Sequence, residues 1–231
     1  MDEWNANYIR TAEQTIVRQN TLMRQVYAWM GAGLAITAFM ALATLSSPSL
    51  IKAIASNRML FFGLMIGELA LVFILSGAIN RLSPAAATAI FIAYSALNGV
   101  TLSILALVYT ASSISSTFVT TAGMFGAMSI YGYVTKRDLT SWGSFLFMGL
   151  IGVLIAMVVN IFVGSSAISW VISAVGVVVF TGLTAYDTWK IKEMASSGTE
   201  GRKPAILGAL TLYLDFINLF LMLLRFTGSR R

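Results

Sequence analysis

The chain contains no cysteine and no histidine among its 231 residues, and only 10% of them are charged. Without cysteine there is no disulfide, no thiolate metal site and no cysteine nucleophile, and the redox compartment leaves no mark on the sequence. Without histidine, a Ser-His triad, an imidazole metal site and an imidazole pH switch are excluded. Whatever chemistry exists must use carboxylates, Tyr, Asn, Lys and Arg. The shortage of charge excludes more. Soluble domains are about 45–50% apolar and about 25% charged, whereas this chain is 58% hydrophobic. Its polar residues are too few to coat a water-soluble fold, so lipid is the expected solvent for most of the chain.

What the sequence has instead is long apolar runs. A spanning helix needs about 20 mainly apolar residues, and seven stretches qualify: roughly 26–45, 59–79, 85–107, 114–134, 144–163, 168–187 and 205–226. They are continuously apolar rather than alternating at every second residue, which excludes transmembrane β-strands. Short connections, at Ser83-Pro84, 135–138 and 164–166, make neighbouring spans antiparallel. The expected fold is an all-α membrane protein, with residues 26–231 forming a single bundle of seven transmembrane helices. Residues 1–25 carry Arg10, Arg18 and Arg24 beside Asp2, Glu3 and Glu13. They are expected to form a polar, amphipathic helix at the membrane surface. They do not read as a signal peptide, because the first apolar run is already long enough to span.

Orientation follows from the bases near the span ends. Ten of the fifteen Lys and Arg residues fall on the side of the N-terminus and five on the other, which favours a cytoplasmic N-terminus. Arg225, Arg230 and Arg231 pull the other way for the last helix. The net charge of +6 calls for no nucleic acid, since anionic lipid at the inner face is partner enough.

An ionisable side chain inside a bilayer is expensive and therefore a functional candidate. Three carboxylates qualify. Glu68 lies midway along the second run, Asp187 closes the sixth, and Asp215 lies about ten residues into the seventh. The loop between the last two runs returns the chain to the same side, so Asp187 and Asp215 can approach if a helix tilts. Two carboxylates in one low-dielectric site cannot both ionise cheaply, so a single proton is held jointly, which makes a pH sensor without histidine. Arg81, at the inner end of the second run, shares the predicted depth of Asp187 and is the best counter-charge. The plainer alternative for Asp187 is an interfacial carboxylate beside Lys190 and Lys192; for Glu68 it is a protonated side chain hydrogen-bonded to a neighbouring helix. Asn98, Asn160 and Asn218 can bridge helices. Asn218, three residues after Asp215, shares its face and is placed to help hold the carboxylate.

Several strings resemble the bacterial branch of the transmembrane Bax inhibitor motif family. They are the run from Leu212 through Tyr213, Leu214, Asp215 and Phe216 to Phe220, continuing to Leu224-Arg225; Thr184 to Thr188; and Phe125 to Gly132 with Thr135 to Leu139. The likeness extends from about residue 20 to the end. It implies a seven-helix bundle with the last helix central, and a pH-sensitive calcium leak. It also implies that Asp187 and Asp215 form the sensor, with an arginine ending the second helix, here Arg81, able to pair with the first of them. Some bacterial relatives are known instead as binders and modulators of a membrane protease.

The leading expectation is therefore a calcium leak of the bacterial inner membrane, with no catalytic residue and no cofactor, and with calcium and protons as its small partners. Asp187 and Asp215 would form its low-affinity calcium site, with Glu68 and Asn218 as further candidates along the path. A second reading is a non-conducting regulatory partner of other membrane proteins. A third is an intramembrane aspartyl protease, where two Asp residues share a proton to activate water. Against that reading, Leu212-Tyr213-Leu214 precede Asp215 where such enzymes need a Gly-x-Gly turn.

Overall fold

The computed structural model describes residues 3–199 and 201–231, and side chains from residue 13 onward within those ranges. Asp2 and the side chains of Glu3 and Arg10, on which the amphipathic reading of the N-terminal segment partly rests, lie outside the described residues. Among the described residues there are nine helices. They are α1 (Glu3–Leu45), α2 (Pro48–Ser56), α3 (Arg58–Gly77), α4 (Pro84–Leu102), α5 (Leu105–Val108), α6 (Ala111–Val134), α7 (Thr140–Val163), α8 (Ser166–Ser196) and α9 (Arg202–Thr227).

Each expected run falls on one of these helices, the third being divided between α4 and α5. Six helical stretches are long and apolar enough to cross a membrane: Glu13–Leu45, Arg58–Gly77, Pro84–Val108, Thr140–Val163, Ser166–Ser196 and Arg202–Thr227. The expected fourth span is α6. It has the length, at 24 residues, but the hydroxyls of Ser112, Ser113, Ser115, Ser116 and Thr117 and the Thr, Gly and Tyr residues further along leave it outside the apolar set. Two helix ends also differ from the sequence reading. Helix α1 runs unbroken from the N-terminal segment into the first apolar run, and α8 continues nine residues past Asp187, about 13 Å of further helix. Hydropathy marks where an apolar run stops, whereas a helix stops at a breaker. Here the first breaker after Asp187 is Gly198, which takes φ +87.

The chain divides into two compact units, Met1–Leu105 with Ile191–Leu210, and Ala106–Lys190 with Thr211–Arg231. Helices α8 and α9 each contribute to both.

In the first unit α1 and α3 both pack on α4, and α2 joins α1 to α3. The α1–α4 contact is close because Gly99 has no side chain: a Cβ there would collide with the Thr37 carbonyl. The Thr37 hydroxyl in turn lies 2.9 Å from both Gly33 O and Ser95 O. Local chemistry starts the helices. Asn57 Oδ1 accepts from Leu60 N at 3.1 Å to cap α3. Ser83 Oγ accepts from Ala86 N at 3.1 Å to cap α4, with Pro84 in the first turn.

In the second unit the core joins Leu146 and Val153 of α7, Val179, Phe180 and Leu183 of α8, and Leu219, Met222 and Leu223 of α9. Phe216 of α9 meets Phe118 and Phe125 of α6 edge-on, with ring centroids 5.4 and 5.5 Å apart. The α7–α8 turn is closed by Asn160, whose Oδ1 accepts from Ser165 N at 3.1 Å while its Nδ2 donates to Ser169 Oγ at 2.7 Å. The C-terminal residues pair with the segment before α6: Thr110 N donates to Ser229 O and Arg231 N to Val108 O.

Candidate functional site

Asp187 and Asp215 come together. Asp187 sits on α8 and Asp215 on α9, both in the second unit, and their carboxyl groups are hydrogen-bonded to each other. A hydrogen bond between two carboxyls requires a proton on one of them. Asp215 is 5% exposed, and its Oδ2 has no hydrogen-bond partner among the described residues. Asp187 is half-buried. Lys190, one turn further along α8, contributes a favourable charge to it, and the Lys190 ammonium lies 5.6 Å from the centre of the Tyr186 ring.

The position of Asp187 is fixed from its other flank by α6. A Cβ on Gly132 would collide with the Ala185 carbonyl, so this glycine lets the α6 backbone lie directly against α8 two residues before the carboxylate. One residue beyond it, Thr188 Oγ1 and Ser129 Oγ lie 2.9 Å apart in a buried hydroxyl pair. These contacts set the rotation of α8 and hence the direction of the Asp187 side chain. Nothing in the sequence singles out Ser129 and Thr188 from the many hydroxyls on α6 and α8.

The remaining candidates have other surroundings. Glu68, on α3, belongs to the first unit and binds α4: Asn98 Nδ2 lies 3.5 Å from its Oε2, and Thr101 hydrogen-bonds it as well. Its Oε1 is buried without a partner among the described residues. Asn218 Nδ2 donates to Leu214 O at 2.8 Å, one turn back in its own helix. Arg81 is exposed in the turn between α3 and α4. Lys203, at the start of α9, donates from Nζ to Asn80 O at 3.2 Å and to Leu82 O at 3.0 Å, bracketing Arg81. Sequence reasoning passed over Lys203, because a lysine bound to backbone carbonyls more than a hundred residues away leaves no spacing to detect.

Among the described residues no group of three or more Asp or Glu residues gathers as a metal cluster. The pair therefore offers at most four carboxyl oxygens, fewer than the six to eight that calcium prefers.

Residues 19–231 match the family described as "Inhibitor of apoptosis-promoting Bax1". Over 216 residues, 91% of this chain and 92% of the relative, the sequence is 54% identical to the inner membrane protein YbhL of Escherichia coli (strain K12). It is 48% identical over 223 residues to an uncharacterized protein of Borreliella burgdorferi, covering 95% of this chain and 96% of that one. An uncharacterized membrane protein of Streptococcus pyogenes serotype M6 is 41% identical over 219 residues, 93% of this chain and 95% of the relative. The match takes in α3, α8 and α9 with their carboxylates, and the chain belongs to the Bax inhibitor-like family of membrane proteins.

Proposed function

We propose that this protein is a calcium leak channel whose opening is governed by the proton held between Asp187 and Asp215. The observation that carries this reading is the hydrogen bond joining the two carboxyls across α8 and α9, with Asp215 buried. With the proton in place, the pair carries one negative charge and ties the two helices. When the proton leaves, two like charges about 4 Å apart repel by on the order of 4 kcal/mol at an effective dielectric of about 20. Each 1.4 kcal/mol is tenfold in a population, so this repulsion is ample to part the helices.

The separated carboxylates then face a passing cation with few oxygens. That suits a transient, low-affinity calcium site at Asp187 and Asp215 better than a tight one. Glu68, through the Oε1 that has no partner among the described residues, and Asn218 are candidates further along the path. Arg81 is the proposed counter-charge for Asp187, and the protein is proposed to act without a cofactor and without enzymatic activity. In this account the bundle crosses the membrane seven times, α6 being the fourth crossing and the one added to the six apolar stretches, with α9 at its centre. The burial of α9 favours that: 72% of its apolar window is buried, against 39% or less in the other five. The N-terminus is taken as cytoplasmic from the distribution of bases, and the membrane as the inner membrane, the one in the name of the Escherichia coli relative.

The test is calcium flux into sealed vesicles containing only the purified protein and lipid. A leak conducts alone and responds to pH. Folded protein that conducts at no pH would overturn the reading and leave a regulatory partner of other membrane proteins, whereas cleavage of a transmembrane peptide would favour the protease.

A further inference from the structure

Lys203 and Asp215 lie on one unbroken helix, α9. Twelve residues separate them, about 18 Å along the axis. Lys203 is half-buried, and its ammonium spans the turn after α3 by donating to the carbonyls of Asn80 and Leu82. Those carbonyls flank Arg81. The turn is a small hydrogen-bonded unit in which Arg81 N donates to Ala78 O at 2.9 Å and Leu82 N to Ala78 O at 3.2 Å. An ammonium shared by two backbone carbonyls is a charge-assisted contact, stronger than a neutral hydrogen bond, and here it joins the start of α9 to the turn that carries Arg81. A helix transmits an axial shift or rotation along its length, so displacement of α9 at Asp215 moves Lys203, and Lys203 moves the turn.

We propose that Lys203 is a positioning residue that couples Asp215 on α9 to the placement of Arg81, so that the state of the carboxyl pair is felt at the α3–α4 turn. The proposal rests on the reading of Asp215 as sensor and Arg81 as counter-charge. It differs from a static staple in one respect: a staple holds the turn but does not report on Asp215.

The experiment is amide hydrogen exchange, read by mass spectrometry on the full-length protein in lipid nanodiscs, over the peptide containing Arg81 and Leu82. Lys203→Met should speed exchange there on the order of tenfold, the scale of losing a charged hydrogen bond, and Lys203→Arg should restore it in large part. Asp215→Asn should alter exchange at the same peptide in the wild-type background and leave it unaltered in the Lys203→Met background. Exchange at the turn that is the same with and without Lys203 would overturn the proposal. So would a response to Asp215→Asn that persists undiminished in Lys203→Met, or one absent from the wild-type background. Should Lys203→Met fail to fold, Lys203→Gln keeps a shorter neutral donor and serves the same comparison. The readout does not depend on conduction. Coupled exchange in a protein that passes no calcium would retain the tether and reject the leak, whereas flux without coupled exchange would do the reverse.

Discussion

Glu68 and Asp215 are both acids set within apolar helices, and their surroundings differ in kind. Glu68 is met by an amide and a hydroxyl from α4, neutral groups that bind α3 to α4 and leave its Oε1 without a partner among the described residues. Asp215 is met by a second acid. A carboxylate with neutral donors is a structural joint. Two carboxyls facing each other make a joint that exists only while a proton is present, and a proton can be removed. In the proposed account burial alone does not make Asp215 a sensor; its partner does.

The largest expected effect separates these two sites. Asp215→Asn should flatten the pH dependence of calcium flux, because an amide can bridge to Asp187 without a titrating proton. Glu68→Gln should leave the pH midpoint where it was, because glutamine can replace its hydrogen bonds to α4. A midpoint moved by Glu68→Gln would merge the two sites into one coupled titration. Loss of flux amplitude at an unmoved midpoint would put Glu68 on the ion path.

The next effect tests whether α6 holds Asp187 in place. Gly132→Ala forces a methyl against the Ala185 carbonyl and should destabilise the protein by about 1–3 kcal/mol, the usual penalty of overpacking. Gly126 on the same helix has open space where a Cβ would stand, so Gly126→Ala should stabilise by up to about 1 kcal/mol through helix propensity. Thermal unfolding in detergent reads both, and equal shifts would remove the close α6–α8 contact from the account. Ser129→Ala should cost about 1–3 kcal/mol if the Thr188 hydroxyl is left unpaired, whereas the Ser129→Ala, Thr188→Val double variant should be closer to neutral.

The smallest effect lies outside the spans. Asp138 Oδ1 accepts from Thr140 N at 2.8 Å ahead of α7, and hydrogen bonding to Thr140 holds its carboxyl below the usual Asp value of 3.8. A carboxyl depressed in the folded state adds stability above that value and loses it as the pH falls through its folded pKa. Because the group is exposed, Asp138→Asn should change stability only slightly near neutrality, and the difference should vanish in acid. A difference that grows in acid would contradict the sign.

The carboxyl pair was legible because an acid in an apolar run is an anomaly that lipid makes costly, and such residues are few. The runs themselves located the helices for the same reason. What the pattern could not carry is whatever depends on contact rather than composition. Asp187 reads as a span end because Lys190 and Lys192 follow it, yet α8 continues, since none of those residues breaks a helix. Helix α2 was missed altogether, its nine residues being too short to register as a span. Ser129, Thr188 and Lys203 carry ordinary side chains whose importance comes from what lies opposite. Asn218 shares the face of Asp215 as the spacing says, but its amide turns back to Leu214 O, a bond always within reach one helical turn away.

The central claim is that one proton, shared by Asp187 and Asp215, sets the open state. Infrared difference spectroscopy of the reconstituted protein, scanned over pH beside calcium flux, tests it most directly. The account predicts a protonated-carboxyl stretch that disappears over the same pH range in which flux rises, is abolished by Asp215→Asn and is displaced by Asp187→Asn. A carboxyl band that titrates apart from the flux, or that survives in the Asp187→Asn, Asp215→Asn double variant with the flux profile unchanged, would contradict it.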